Sequence, residues 1–281
     1  TNQFLRLNFI ISECIKKIDF FDCNSVLVQG DTASAFASSI AAFNNKKKII
    51  YLESGLRSFD LKQPYPEEGY RQMISRISDI NFCPTQLSRK NLLLENIKKK
   101  IYVVGNTCLD NLIKFKKNIS YQNFILITLH RREKLFEIEK WFFEINKIAI
   151  QYPRLTFIFI SHPNPEVNSK IGFLENIKII KPMKHNKFIK LLSKCKFVIT
   201  DSGGIQEEAS FLNKKIIVCR KTTERPEGIL SGHLLICSEP KNLKLFVKNT
   251  LSNFIIKTKC PYGNGSSANK IFNILKKNKL C

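Results

Sequence analysis

Short apolar runs alternate with amphipathic or small-residue segments along the whole chain. Residues 25–29 read as a strand ended by Gly30, 33–43 as a small-residue helix of the buried kind, and 48–52 as a second strand. A helix over 70–80, a short strand over 80–82, a helix over 86–97 and a strand over 101–104, ended by Gly105, follow. A second set has strands at 124–128, 156–160, 177–180, 197–200 and 215–219, with helices between them, notably 135–152 and 187–192. Short apolar strands separated by helices imply parallel sheets covered on both faces. The lysine- and asparagine-rich stretch 114–122 reads as a linker between the sets. The fold class is therefore α/β, with two doubly wound, Rossmann-like domains facing across a cleft. The expected bounds are 1–118 and 119–262, with a C-terminal helix in 263–281 packing back on the first domain. Only one helix, about 3–17, precedes the first clear strand. The expectation is that one or two N-terminal βα units, each about 30 residues, are missing.

Composition changes this picture little. A length of 281 residues, 43% hydrophobic and 25% charged, suits a globular protein with ample core. No apolar run reaches the roughly 18 residues of a membrane span, and the first residues do not read as a signal peptide. Nine cysteines without a C-x-x-C pair suggest reduced thiols in a cytoplasmic protein rather than a disulfide framework or a zinc site.

The formal net charge of +23 is the loudest number. Lysines dominate it, in runs such as 46–48 and 98–100 at the ends of apolar segments, and read as solvated surface. Arginines are fewer, and Arg57, Arg71, Arg76, Arg131, Arg132, Arg220 and Arg225 fall in or beside the segments that carry chemistry. A nucleic-acid binder would show a basic patch with interleaved aromatics or a known module, and neither is present.

The most informative segment is 200–208, Thr-Asp-Ser-Gly-Gly-Ile-Gln-Glu-Glu, between an apolar strand and a helical pattern. Paired glycines let the backbone come close to a ligand, and the free N–H groups of the first helical turn favour a phosphate or diphosphate. The carboxylates beyond them could accept bonds from sugar hydroxyls. Taken alone, the segment is equally an ordinary βα turn with a serine N-cap. Asp31, in Gly30-Asp31-Thr32, and Glu53, in Glu53-Ser54-Gly55-Leu56-Arg57, each follow a strand, where α/β sheets place their ligands. Pro66 sets Glu67 near a helix N-terminus, followed by Arg71. Asp31, Glu53 and Glu67 could converge on one wall, where neighbouring carboxylates push their pKa values apart into acid and base roles. Singly, each is as well explained by capping or a surface ion pair. His130-Arg131-Arg132-Glu133 and His162-Pro163-Asn164-Pro165 also end strands, and Arg220 with 222–227 closes the strand expected to be last. Metal-ligand spacing and the G-x-G-x-x-G fingerprint are both absent, so neither a metal nor a nicotinamide cofactor is expected.

Together these segments resemble the non-hydrolysing UDP-N-acetylglucosamine 2-epimerase family. The matching strings, in order, are VQGDT (28–32), ESGLRSFD (53–60), YPEEGYR (65–71), SDINFCPT (78–85), VGNT (104–107), TLHRRE (128–133), HPNP (162–165), TDSGGIQEEA (200–209), TTERPEG (222–228) and PYGNG (261–265). The resemblance implies the glycosyltransferase-B architecture and interconversion of UDP-GlcNAc and UDP-ManNAc, by elimination of UDP to a 2-acetamidoglucal and re-addition after C2 is inverted. Proton removal and return at C2 need carboxylates, and UDP departure needs a cationic, amide-lined pocket. Carried over by position, Asp31, Glu53 and Glu67 form the acid/base set and His130 steadies the departing UDP. Ser202, Gly203 and Gly204 form the diphosphate turn, Glu208 contacts the ribose, and Arg71 and Arg220 are further charged residues of the cleft. The resemblance also implies a homodimer, a place in surface polysaccharide precursor synthesis, and a UDP-sugar that serves as both substrate and allosteric activator, with no cofactor, nucleic acid or membrane partner.

The chain departs from the family pattern in several places. It lacks the family's opening Gly-Thr-Arg-Pro-Glu-type loop. Tyr51 stands where the family has His, Lys134 follows Glu133 where the family has Asn, and Ala33-Ser34-Ala35 follows Gly-Asp-Thr where Thr is usual. An epimerase for another UDP-2-acetamido sugar and a non-catalytic UDP-binding remnant are the alternatives.

Overall fold

The computed structural model describes residues 3–18, 22–130, 137–161, 172, 174 and 176–280. The chain divides into two compact units, Thr1–Thr107 with Ser266–Cys281, and Cys108–Gly265.

In the first unit a helix, α1 (Gln3–Ile18), precedes β1 (Ser25–Gln29), α2 (Ala33–Asn44), β2 (Lys48–Leu52), α3 (Glu67–Ile77), β3 (Ile80–Cys83), α4 (Gln86–Leu94) and β4 (Lys100–Val103). The strands form a parallel sheet in the order β1-β2-β3-β4, in register Val26↔Ile49, Ile50↔Ile80 and Asn81↔Ile101. Side chains alternate across it. Val28, Ile49 and Tyr51 join one apolar cluster, whereas Ile50, Leu52, Ile80 and Phe82 join another. Helix α2 starts cleanly because the Thr32 hydroxyl accepts the Ala35 N–H at 3.2 Å. Its Ala35, Ala37, Ser39, Ala41 and Ala42 are buried, so its small residues serve the core.

In the second unit a short α5 (Ile113–Lys116) precedes β5 (Phe124–Thr128), α6 (Ile138–Gln151), β6 (Thr156–Ile160) and β7 (Lys178–Ile180). After these come α7 (His185–Leu192), β8 (Phe197–Thr200), α8 (Gly203–Phe211), β9 (Lys215–Val218), α9 (Glu227–Leu230), β10 (Leu234–Ile236) and α10 (Leu243–Ser252). The sheet is parallel throughout, in the order β10-β9-β8-β5-β6-β7. From β5 the chain winds outward through β6 and β7, then returns to β8 and winds the other way. The crevice at the carboxyl ends of β5 and β8 is therefore the topological switch point, where such sheets bind ligands. Both faces are covered: Ile125, Ile127, Phe157 and Phe159 lie in one cluster, and Leu126, Ile158, Ile160 and Val198 in the other.

Several expectations shift. Helix α3 begins at Glu67 rather than 70, because Pro66 serves as N-cap and the charged first turn hides the start from an apolar count. Strand β10 lies beyond the strand expected to be last. The division falls at 107/108 and 265/266 rather than after 118 and 262. The reason is that Leu109 and Leu112, before the presumed linker, are buried in the second unit's core. The closing helix α11 (Ser267–Lys277) belongs to the first unit, where Ile271 and Leu275 join the cluster of Ile50 and Phe82. Lys214 departs from the reading of lysines as solvated surface, being fully buried. Residues Arg131, Arg132, Glu133 and His162 to Pro165 lie outside the described residues. No described helix is long and apolar enough to cross a membrane.

Candidate functional site

The first unit gathers charge at the carboxyl ends of β1 and β2. Asp31 follows β1 and is bonded by the Arg71 guanidinium, which reaches across from α3. Glu53 follows β2 in a left-handed conformation, φ 63°. That conformation costs a non-glycine residue about 1–3 kcal/mol, and such strain collects at working sites. Gln29, the last residue of β1, donates to Glu53 Oε1 at 2.6 Å and fixes the carboxylate. A methyl group on Gly30 would stand 3.9 Å from Glu53 Oε2, so the Asp31 loop runs directly beside that carboxylate.

Glu67 is the first residue of α3, four before Arg71 and so on the same helix face. Its Oε2 is buried without a hydrogen-bond partner among the described residues. A buried carboxylate oxygen with nothing to accept is costly unless a ligand or proton supplies the bond.

Two residues of this region have no role assigned from sequence: Glu68, and Tyr51, noted only as a departure from the family pattern. Glu68 is fully buried and accepts from the Ser58 amide at 3.0 Å and the Phe59 amide at 3.3 Å. It also takes Arg71 at 3.4 Å, so it anchors the 58–60 loop and steadies the arginine that holds Asp31. Tyr51 lies under the site with its hydroxyl buried and unbonded among the described residues. Burial, first, raises that phenol, and Asp31 and Glu53 add to the effect against Arg57 and Arg71. The surroundings of Glu68 and Tyr51 escape motif reading because burial, not residue type, sets them. Arg57 is itself buried and paired with Glu95 at 2.6 Å.

The second unit builds its site at the switch point. His130 follows β5; its amide donates to Asp201 Oδ2 at 2.9 Å, and its Nδ1 lies 3.5 Å from Oδ1. Asp201, which the sequence offered only as part of the glycine motif, thus holds the histidine's backbone at the strand end and lies close to its ring. Beneath them the Thr128 and Thr200 hydroxyls bond at 2.7 Å across the β5–β8 register.

Ser202 occupies the N-cap of α8 but its side chain makes no capping bond. The first-turn amides at Gly203 and Gly204 have no partner within the helix. The glycines differ. A Cβ on Gly203 would meet Arg225 Nη1 at 2.6 Å, whereas one on Gly204 would meet nothing within 4 Å. Arg225 is held by Glu207 and by Glu224 at 2.6 Å, and Glu224 also takes Arg220 at 2.9 Å. Arg220 is therefore buried in an ion-pair network behind the turn, and it does not line the cavity described next.

That cavity, about 300 Å³, opens beside the turn. Its apolar lining includes Ile160, Met183 and Phe188, and its polar groups include His130, His185 and Glu208. Glu208 Oε1 bonds His185 Nε2 at 2.7 Å. Burial pushes the Glu208 carboxyl up, and the His185 bond pulls it back. An apolar slot lined by a carboxylate, with Ile205 of the first turn of α8 on its wall, suits a nucleoside next to a helix N-terminus. A larger depression of about 940 Å³, lined by Lys114, Lys187, Lys190 and Lys194 among others, carries no carboxylate or histidine. Among the described residues no group of three or more His, Cys, Asp or Glu could hold a metal ion.

The family model for UDP-N-acetylglucosamine 2-epimerase matches residues 7–276. A Campylobacter jejuni protein named UDP-N-acetylglucosamine 2-epimerase is 38% identical over 292 residues, covering 92% of this chain and 76% of that one. The crystal structure of UDP-GlcNAc 2-epimerase from Neisseria meningitidis bound to UDP-GlcNAc superposes with TM-score 0.88 at 34% identity, covering 97% of this chain and 81% of that one. The S. aureus MnaA–UDP co-structure superposes with TM-score 0.90 at 31% identity, covering 100% and 83%.

Proposed function

The chain belongs to the UDP-N-acetylglucosamine 2-epimerase family, of glycosyltransferase-B fold, and on that premise we propose that it interconverts UDP-GlcNAc and UDP-ManNAc. The observation that carries the reading is the carboxylate set at the ends of β1 and β2: Asp31 clamped by Arg71, beside a strained Glu53. A hydrolase or a plain glycosyl transferase needs no such group to work at a carbon-bound hydrogen.

One carboxylate of the set removes the C2 proton. The C1–O bond breaks, its electron pair leaves with UDP, and a 2-acetamidoglucal forms. A phosphate oxygen of UDP then re-adds to C1 while a proton returns to the opposite face of C2. Glu67, with its unpartnered oxygen, is suited to take or hold that proton. The α8 amides at Gly203 and Gly204, with Ser202, hold the diphosphate. His130, its backbone held by Asp201, steadies it while it is free. Glu208 accepts from the ribose. The same reading extends to a cytoplasmic homodimer serving surface polysaccharide synthesis, with UDP-GlcNAc acting also as activator; its support is family membership alone.

The test is NMR of UDP-GlcNAc with the protein in deuterated water. Deuterium at C2 and formation of UDP-ManNAc are expected. D31N, E53Q and E67Q should each lose about 10²-fold or more in turnover while still binding UDP. A variant that turns over at the wild-type rate removes that residue from the acid/base set. UDP binding without C2 exchange in the wild type would leave a binding-only protein, and exchange confined to another UDP-2-acetamido sugar would reassign the substrate.

A further inference from the structure

The cavity at the β5–β8 crevice contains a pair, Glu208 and His185, of which the proposed chemistry uses only the carboxylate. Glu208 lies in the second turn of α8, its side chain 12% exposed, while His185 opens α7 with its side chain 58% exposed. The two come from different elements and meet at 2.7 Å. The other described side chains that α7 and its approach bring to the cavity, Pro182, Met183 and Phe188, have no hydrogen to donate. Among the described residues, the titratable groups lining the cavity with Glu208 are His130 and His185. Glu207, its neighbour on α8, is engaged with Arg225.

We propose that His185 is a positioning residue for Glu208, fixing one carboxylate oxygen so that the other is a preset acceptor for a ribose hydroxyl and sets the preference for ribonucleotides. This rests on the reading of the cavity as the nucleoside end of a UDP site. A buried carboxylate without a donor would be free to rotate and would favour its protonated form. A protonated carboxyl loses most of its capacity to accept. Bound by His185, Glu208 keeps both its charge and its rotamer before the ligand arrives, so less ordering is left to the binding step. His185 itself need not touch the ligand. Its effect reaches the nucleotide through Glu208, and so falls on affinity and sugar discrimination rather than on the reaction at C2.

The experiment titrates UDP and its 2′- and 3′-deoxy analogues calorimetrically into wild type, H185A, H185Q, E208Q and the H185A/E208Q double variant, from pH 5.5 to 8, with steady-state kinetics alongside. H185A should weaken UDP about ten-fold, raise KM while kcat stays within about two-fold, and reduce the preference for UDP over the deoxy analogue. Glu208 accepts when ionised, so affinity is lost as pH falls through its pKa. Removing the His185 donor lets burial raise that carboxyl further, and the acid loss should begin at higher pH. H185Q, whose amide can donate, should recover affinity at neutral pH. The double variant should bind no worse than E208Q. Wild-type affinity and an unmoved acid limb in H185A, or full additivity with E208Q, would overturn the proposal. A wild-type protein that binds no UDP overturns the nucleotide reading of the cavity and this assignment with it. UDP binding without C2 exchange defeats the epimerase reading alone, and the affinity series still decides the role of His185.

Discussion

Two adjacent glycines illustrate how differently neighbouring residues can be constrained. Gly203 is glycine because Arg225, pinned by Glu207 and Glu224, occupies the space a side chain would need. Gly204 faces open space. G203A should cost about 1–3 kcal/mol, the usual penalty for overpacking, because the arginine cannot move without breaking two buried ion pairs. G204A adds an alanine to a helix and should leave the melting temperature unchanged or raise it, yet on the proposed function its methyl group would stand in the path of the diphosphate. Thermal melts with and without UDP separate these effects: G203A melts lower in both conditions, whereas G204A loses only the ligand-induced rise. The motif was legible in the sequence as a Gly-Gly turn; that Gly203 packs against Arg225 while Gly204 faces open space was not, because Arg225 is twenty-two positions away in sequence from Gly203.

At the scale of elements, the parallel strands were legible because each is an apolar run buried on both faces. What escaped were elements whose ends are set by tertiary partners. The stretch 114–122 looks like a linker because it is polar. In the fold the Ser120 amide donates to Ser193 at 3.0 Å, the Gln122 amide donates to Lys194 at 2.8 Å, and the Ser120 carbonyl accepts from Lys214. Lys214 also donates to Cys195 O at 2.8 Å and lies 3.9 Å from the centre of the Tyr121 ring. One lysine out of a large surplus thus fastens a segment, and composition cannot single it out. Burial brings its pKa down to about 8, against an ordinary value of 10.5, with nearby Cys195 acting in the opposite sense. Between those values the unfolded chain binds the extra proton, so this group's contribution to stability rises with pH. K214M, which strands two carbonyls at about 1–3 kcal/mol each, should be less stable than wild type in urea. The gap should widen as pH is raised from about 8 to 10.5.

At the scale of the molecule, the chain forms its first unit from two separated stretches. Helix α11 contributes Ile271 and Leu275, each 7% exposed, to a cluster that otherwise comes from β2, β3 and their surroundings. L275A should destabilise that unit by about 2–5 kcal/mol. Hydrogen exchange should show faster opening of β2 and β3 amides with β5 and β8 unchanged; equal acceleration in both sheets would mean the two units open together. Asp31, Glu53 and Glu67, the proposed acid/base set, all sit in this first unit, so damage to a distant helix should reach them.

The discontinuity also bears on how the protein is made. A ribosome emits residues in order, at roughly 5–20 per second. The second unit, Cys108–Gly265, leaves the exit tunnel complete before α11 has emerged. The first unit, although translated first, must wait with the α11 side of its sheet uncovered until Ile271 and Leu275 arrive. Nascent chains stalled before that helix should present the apolar side chains Phe82 and Ile50 to chaperones, making the earliest-synthesised half of the enzyme the last to mature.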